Sequence, residues 1–374
     1  MRNLEKIILS NTDMPKVTFN NRKGNFYETL KNAVDAYFNE KKIAKTGDWR
    51  LFSKTIILIG SAIGLYILLL SNILPAWAGM LGSALLGFVL ATIGFNVMHD
   101  ANHGSYSPSK TLNELLGLTM NALGGNAFIW KIKHNINHHT YTNIDGLDDD
   151  IAKSPLIRMA STQVWKPAHR FQHIYVFFLY AISSFAWVFL TDMQKYFKRK
   201  IHNSPISKIP LKEHIIFWVS KILYVVFYIA IPVYFVGWGA WAIGFSLMHI
   251  VMGVTLSLTF QLAHMVEEVE HEHFVAETTY IDSEWAEHQV RTTANFAPNS
   301  KLISWFVGGL NFQIEHHLFP RVSHVHYPAI SKIVKEVCRA YNVPYYEAPT
   351  LWHAIVSHIK TMKAFGQKPV WVSC

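Results

Sequence analysis

The sequence predicts an all-α integral membrane protein: four transmembrane helices in two hairpins, with a cytosolic helical cap that gathers a histidine-rich site. Three observations carry this. From Thr55 to Met98 run 44 residues without Asp, Glu, Lys, Arg or His, and from Ile222 to Ala263 run 42 with His249 as the exception. The chain also has 20 histidines, far more than packing requires, and imidazole is the usual nitrogen ligand of transition metals. The bulk composition agrees, since 51% hydrophobic and 16% charged residues over 374 positions lean towards a membrane protein.

Residues 1–50 read as an N-terminal cytosolic segment. The stretch before Leu51 is long and mixed in charge, without the short apolar core and cleavage site of a signal peptide. Within it Phe26, Leu30, Val34, Tyr37 and Phe38 follow a helical spacing, which predicts an amphipathic helix. Residues 51–374 show no repeat, low-complexity tract or linker, so they read as one membrane domain.

A spanning helix needs about 20 residues. The first apolar run therefore divides near Ser71 to Pro75 into spans at about 53–72 and 78–98, and the second divides at Gly237-Trp238-Gly239 into spans at about 215–236 and 239–263. One charge at mid-helix costs about 2.5 to 3.5 kcal/mol on insertion, so runs this clean are hard to explain in a soluble protein. Both hairpin turns lack Lys and Arg, whereas the first 50 residues, Lys195 to Lys212 and the C-terminal tail carry many. By the positive-inside rule the termini and large loops are expected in the cytoplasm.

Two further apolar stretches are not expected to cross. Leu112 to Ile129 forms a one-sided stripe broken by Gly and Asn, as in a helix lying in the interface. Phe171 to Leu190 is long enough to cross, but crossing would place Lys195, Lys198, Arg199 and Lys200 outside, so a re-entrant or interfacial segment is expected. After Pro328, the positions Ile330, Ile333, Val334 and Val337 predict a cap helix.

Two function classes fall away on composition. Cys338 and Cys374 cannot build a disulfide framework and match no zinc or redox spacing. The net charge of +9 comes from Lys and Arg spread along loops, with no recognition motif or basic stripe, so no nucleic-acid partner is expected.

The histidines fall into three groups. His99 and His103 stand four apart where the second span ends; His134, His138 and His139 form the second group; Gln313, Glu315, His316 and His317 form the third, about 50 residues after the second hairpin. Residues four apart share a helix face, so His99 with His103, and His134 with His138, can each reach one small metal cluster. His139 is turned by about 100° from His138 and is expected to address another position. One complete hairpin separates the second group from the third, and no full span separates the first from the second, so all three face the same side.

His264 ends the fourth span and is placed to join them, whereas His249, 15 residues earlier, lies about 22 Å up the helix. His271 and His273 sit in an acidic loop, and His169, His173, His202, His214, His353 and His358 lack partners. His288 opens a polar run from Gln289 to Asn295 that is expected to line the site; His324 and His326 closely follow the third group. The spacing alone does not choose iron over zinc or manganese.

These residues resemble the membrane fatty acid desaturases, which are marked by three histidine boxes: HxxxH in His99 to His103, HxxxHH in His134 to His139, and QxxHH in Gln313 to His317. The match runs from His99 to Pro320. Glutamine opening the third box is similar to the front-end acyl-lipid or acyl-CoA branch. The resemblance implies a di-iron centre with His99, His103, His134, His138, His139, His264, His316 and His317 as ligands, with Gln313 standing where other branches carry a histidine. Asp100 and Glu315 are then expected to accept imidazole N–H bonds behind the metal, with Gln313 beside them.

The implied reaction is O2-dependent: reduced iron activates dioxygen, and two hydrogens leave adjacent methylenes of an acyl chain to give a cis double bond and water. An apolar acyl tunnel between the spans is expected to deliver the chain. Many front-end relatives carry a fused haem domain with a His-Pro-Gly-Gly sequence, which this sequence lacks; a separate donor, a ferredoxin or a b-type cytochrome, is expected to supply electrons. The setting expected is a bacterial inner membrane. A hydroxylase of the same superfamily is the nearest alternative, and a metal transporter a remote one, since transport needs ligands near the midplane and only His249 lies there.

Overall fold

The computed structural model describes residues 17–21, 24–153, 155–271 and 280–369. His273 and Cys374 lie outside these residues. Among the described residues, four continuous segments are long and apolar enough to cross a membrane: Trp49–Leu70, Ala76–His103, Pro167–Lys198 and Leu211–His264.

The last segment is two helices. Gly237, at φ 78°, breaks it. Across the break the Trp241 indole donates to Tyr228 O at 2.8 Å, and the Tyr224 hydroxyl meets His249 Nε2 at 2.8 Å. In a straight helix Tyr224 and His249 would lie about 37 Å apart, so the chain has folded back and the second hairpin is formed by residues 211–236 and 238–264. The first hairpin turns at Ser71 to Pro75, between Trp49–Leu70 and Ala76–His103. Its opening helix starts earlier than hydropathy indicates, because Asp48 accepts a bond from Arg50 N and caps a polar first turn.

The hairpins pack closely through small residues. A Cβ on Gly87 would meet Met248 O at 2.1 Å, so the second and fourth helices touch backbone to backbone there. A cavity of about 220 Å³ lies between the hairpins above this contact, lined by Tyr66, Leu69, Met80, Trp241 and Phe245 with Leu86 and Met248 also on its wall. It is thus at the turn end, remote from the histidines, and does not supply the tunnel expected between the spans.

The helix Pro167–Lys198 runs well past the expected Phe171 to Leu190. Both its ends are fastened to the histidine-bearing layer: Gln172 donates to Arg158 O and Met362 O, and Lys195 pairs with Asp149 at 2.5 Å. Between these ends it runs beside the fourth helix, where Ser184 bonds His249 at 2.9 Å and Phe189 packs on Phe245, and its length and composition suit a crossing. The Leu112 to Ile129 stripe is three short helices, Lys110–Gly117, Thr119–Ala122 and Ala127–Trp130, with Leu115 exposed and Met120 buried.

The cap is built on helical periodicity. Phe26, Leu30, Val34 and Phe38, spaced four apart on the helix Phe26–Lys41, are buried in one cluster with Ile330, Val334 and Cys338 of the helix Tyr327–Ala340. Three two-residue ladders pin the loops: Thr18–Phe19 pairs in parallel with Tyr280–Ile281, Lys200–Ile201 antiparallel with Ser204–Pro205, and Asn295–Phe296 in parallel with Glu347–Ala348.

Candidate metal centre

The second helix carries His99 and His103 on its last turns, just after a π-helical stretch Gly94–Met98, and ends at Gly104 in the left-handed region at φ 75°. His134 and His138 sit on a second π-helical stretch, Lys131–His138, with His139 directly after it. His264 closes the fourth helix, and His316 and His317 lie on the short helix Gln313–Leu318. Asn143 ties the loop after the second box to the fourth helix by donating to His264 O at 3.0 Å.

All eight imidazoles are buried and meet in one layer. Nitrogens of His99, His103, His134 and His316 lie within 4.8 Å of one another, and so do nitrogens of His138, His264 and His317. His139 lies between the two sets, its ring centre 4.6 Å from that of His316 and 4.5 Å from that of His317. A nitrogen of His134, one of His138 and an Asp150 carboxylate oxygen also fall within reach of a common point.

The second box therefore departs from its expected geometry. In the two all-histidine sets His134 and His138 fall on different sides, although a nitrogen of each also meets Asp150 within 4.8 Å, and His139 Nε2 lies 3.2 Å from His134 Nε2. The π-helical turn, with its i→i+5 bonds, brings residues five apart onto one face, while the rings of His134 and His138 stay stacked with centres 5.3 Å apart.

The Nε2 atoms of His99, His103, His264, His316 and His317 are buried without a hydrogen-bond partner among the described residues. Buried unpaired nitrogens are costly, and so many converging ones have a common solution in cations that take their lone pairs. Burial and mutual repulsion hold His134, His139, His316 and His317 well below the usual imidazole range, and neutral imidazole is the form that ligates metal. At His138 burial opposes the charged form, but Asp148 outweighs it and raises the group.

The opposite nitrogens have assigned partners. His138 Nδ1 donates to Asp148 Oδ2 at 3.0 Å, His317 Nδ1 to Gln289 Oε1 at 2.8 Å and His264 Nδ1 to Thr292 O at 3.3 Å; His316 Nδ1 meets the Tyr327 hydroxyl at 3.1 Å. Each such bond fixes which nitrogen faces the cluster.

The two carboxylates expected in this role are turned elsewhere. Asp100 Oδ2 accepts from the Ser323 hydroxyl at 2.7 Å and lies 3.0 Å from His324 Nδ1. Glu315 accepts from Asn295 Nδ2 at 2.9 Å and the Tyr345 hydroxyl at 2.8 Å, and burial pushes it up to about 7. The reason is geometric: a residue next to a ligand on a helix is rotated by about 100° from it. Gln313 is buried, with Nε2 unpaired among the described residues.

The polar run after His288 lies against the site through Gln289 and Thr292, but His288 Nε2 itself donates to Thr142 O at 2.9 Å, one layer further out. His326 bonds Thr46 O at 3.1 Å and packs on Phe38. His249 is satisfied by Ser184 at 2.9 Å and Tyr224 at 2.8 Å, away from the cluster. Asp148 and Tyr327 were not singled out by the sequence; Asp148 stands in an Asp148-Asp149-Asp150 run whose proximity to the second box was the available signal.

Fold and site together define a helical membrane protein with a buried, all-histidine cluster fit to hold metal. The family model for fatty acid desaturases matches residues 75–349. The chain is 35% identical to an sn-1 linoleoyl-lipid 6-desaturase of Arthrospira platensis, over 95% of this chain and 96% of that protein. An enzyme of the same name from Synechocystis sp. is also 35% identical, over 94% and 98%. An acyl-lipid (8-3)-desaturase of Physcomitrium patens is 34% identical, over 91% and 72%. The chain belongs to the fatty acid desaturase family and is an oxidoreductase acting in lipid metabolism.

Proposed function

We propose that this enzyme introduces a cis double bond into the acyl chain of a membrane lipid, using O2 and electrons from a separate ferredoxin or b-type cytochrome. The observation that carries the reading is the division of seven buried imidazoles into two sets with His139 between them. His99, His103, His134 and His316 would hold one iron ion and His138, His264 and His317 the other, with His139 available to either. Held by these residues, a reduced iron pair would supply the dioxygen chemistry needed to remove hydrogen from unactivated methylenes.

The chain's own residues do the remaining work. Burial of all eight imidazoles keeps bulk water from the cluster and favours the neutral, metal-ligating form at those other than His138. Asp148, Gln289 and the Thr292 carbonyl hold protons on Nδ1 of His138, His317 and His264, which leaves each Nε2 lone pair directed at the cluster. An acyl-lipid rather than an acyl-CoA substrate is favoured by the relatives, whose names specify acyl-lipids. The distribution of Lys and Arg supports a cytoplasmic cap and cytoplasmic termini, in a bacterial inner membrane.

Iron analysis of the purified protein tests the metal assignment: about two ions per chain are expected, and a protein that retains zinc or no metal under aerobic purification with iron supplied would overturn it. Cysteine labelling from either side of sealed vesicles tests the orientation.

A further inference from the structure

A cleft of about 760 Å³ opens where the first membrane helix meets the cap. Its size is that of a ligand pocket. Five cations line it: Arg50 and Lys54 from the helix Trp49–Leu70, Lys301 from the helix Lys301–Phe306, and Lys332 and Lys335 from the helix Tyr327–Ala340. Glu347 is the one carboxylate on its wall, and it pairs with Lys335. Arg50 is bound by Asp48 at 2.8 Å. Lys301 and Lys332 are exposed, and neither has an acidic partner among the described residues.

Lys54 is the less ordinary member. It is 6% exposed, yet its Nζ meets an imidazole nitrogen, His324 Nε2, at 3.1 Å, and lies 5.4 Å above the Trp305 ring. The buried Asp100 carboxylate, 3.0 Å from the other ring nitrogen of His324, balances this ammonium through the imidazole, so the excess positive charge of the cleft lies at its opening, on Lys301 and Lys332. Basic residues that serve only to set membrane orientation would project into water; this one is built in.

The rim adds the second feature. Trp49 is 74% exposed and Leu302 is 69% exposed, on the two helices that flank the opening. Exposed apolar side chains beside a basic hollow, at the first turn of a membrane helix, match the boundary between lipid headgroups and acyl chains. The inner wall approaches the histidine cluster: His324 lines the cleft and lies 3.0 Å from Asp100, the residue after His99.

We propose that this cleft binds the phosphate of the acyl carrier, a phospholipid headgroup entering from the membrane, and so fixes the carboxyl end of the acyl chain relative to the cluster. The role as a substrate site rests on the desaturase reading; the binding itself does not. The Lys301 and Lys332 ammonium groups would reach the phosphate oxygens at the opening, with Lys54 at the inner wall.

Binding by the full-length protein in detergent separates the two questions, because it needs no turnover. Native mass spectrometry would compare dioctanoyl phosphatidylglycerol, dioctanoylglycerol and oleoyl-CoA on the wild type and on a Lys301→Gln/Lys332→Gln variant, whose exposed positions leave folding intact. The expected result is at least tenfold tighter binding of phosphatidylglycerol than of dioctanoylglycerol, a loss of about tenfold in the variant, and recovery in Lys301→Arg/Lys332→Arg. Preference for oleoyl-CoA over phosphatidylglycerol, removed by the same variant, would overturn the lipid source. Equal affinity of the wild type for the charged and neutral lipids, or no effect of the variant, would overturn the site. Absence of desaturation with this binding pattern intact would count against the reaction and not against the cleft.

Discussion

His138 Nδ1 donates to Asp148 Oδ2 at 3.0 Å, and the same carboxylate oxygen accepts from Asn143 N at 3.0 Å. One buried acid thus sets both the tautomer of an imidazole in the cluster and the turn of the loop that follows it. Asp148→Asn keeps an acceptor for the loop but removes the charge behind the imidazole. Weakening of metal affinity by about 10- to 100-fold is expected, read as iron retained during dialysis against a graded chelator series. Iron retention equal to the wild type would show that Asp148 serves the loop alone.

The two sets of imidazoles share no member apart from the intervening His139. His264→Ala removes one nitrogen of three from the second set and none from the first. The expected outcome is an iron content close to half that of the wild type, with activity lost. A variant that loses all its iron would mean that the two sites fill only together, and one that loses none would remove His264 from the ligand set.

Much of this was legible in the sequence, and the parts that were not have physical causes. Hydropathy located both hairpins, and the boxes located the cluster, because these signals are local in the chain. Of the partners behind the imidazoles, the polar run holding Gln289 and Thr292 was legible, whereas Asp148 was not, since a folded loop brings it to His138. Adjacency nominated Asp100 and Glu315, and helix rotation turned both away. The π-helical turn through the second box also left no mark in residue spacing, so the pairing of His139 with His134 emerged only in three dimensions.

Gly87 supports the contact between the two hairpins, where an added Cβ would meet Met248 O at 2.1 Å. Gly87→Val forces the helices apart and is expected to destabilise the protein by about 1–3 kcal/mol or more. Thermal unfolding in detergent provides the measurement. Gly60→Val is the control, because nothing lies within 4 Å of a Cβ at that position, and its midpoint should match the wild type.

Asp149 gives the cap an acid-sensitive component. Burial works against its carboxylate, but Lys153, Lys195 and Lys133 surround it and hold it at about 2. This lies below the unfolded value of about 3.9, so the stabilisation is complete above that value and disappears as pH falls from about 4 to about 2. It amounts to about 2 kcal/mol. Asp149→Asn should therefore melt earlier than the wild type at pH 7, with the gap narrowing by pH 3; a gap that does not change with pH would assign the effect to packing.

The central claim is that this histidine cluster desaturates an acyl chain. Fatty acids from a host expressing the chain, compared with the same host carrying His138→Ala, would be profiled by mass spectrometry with double-bond positions located. The account predicts a new cis-unsaturated fatty acid, esterified in membrane lipid, that is present with the intact chain and absent with the variant. A hydroxylated acid in its place, or the same unsaturated product from His138→Ala, would contradict it.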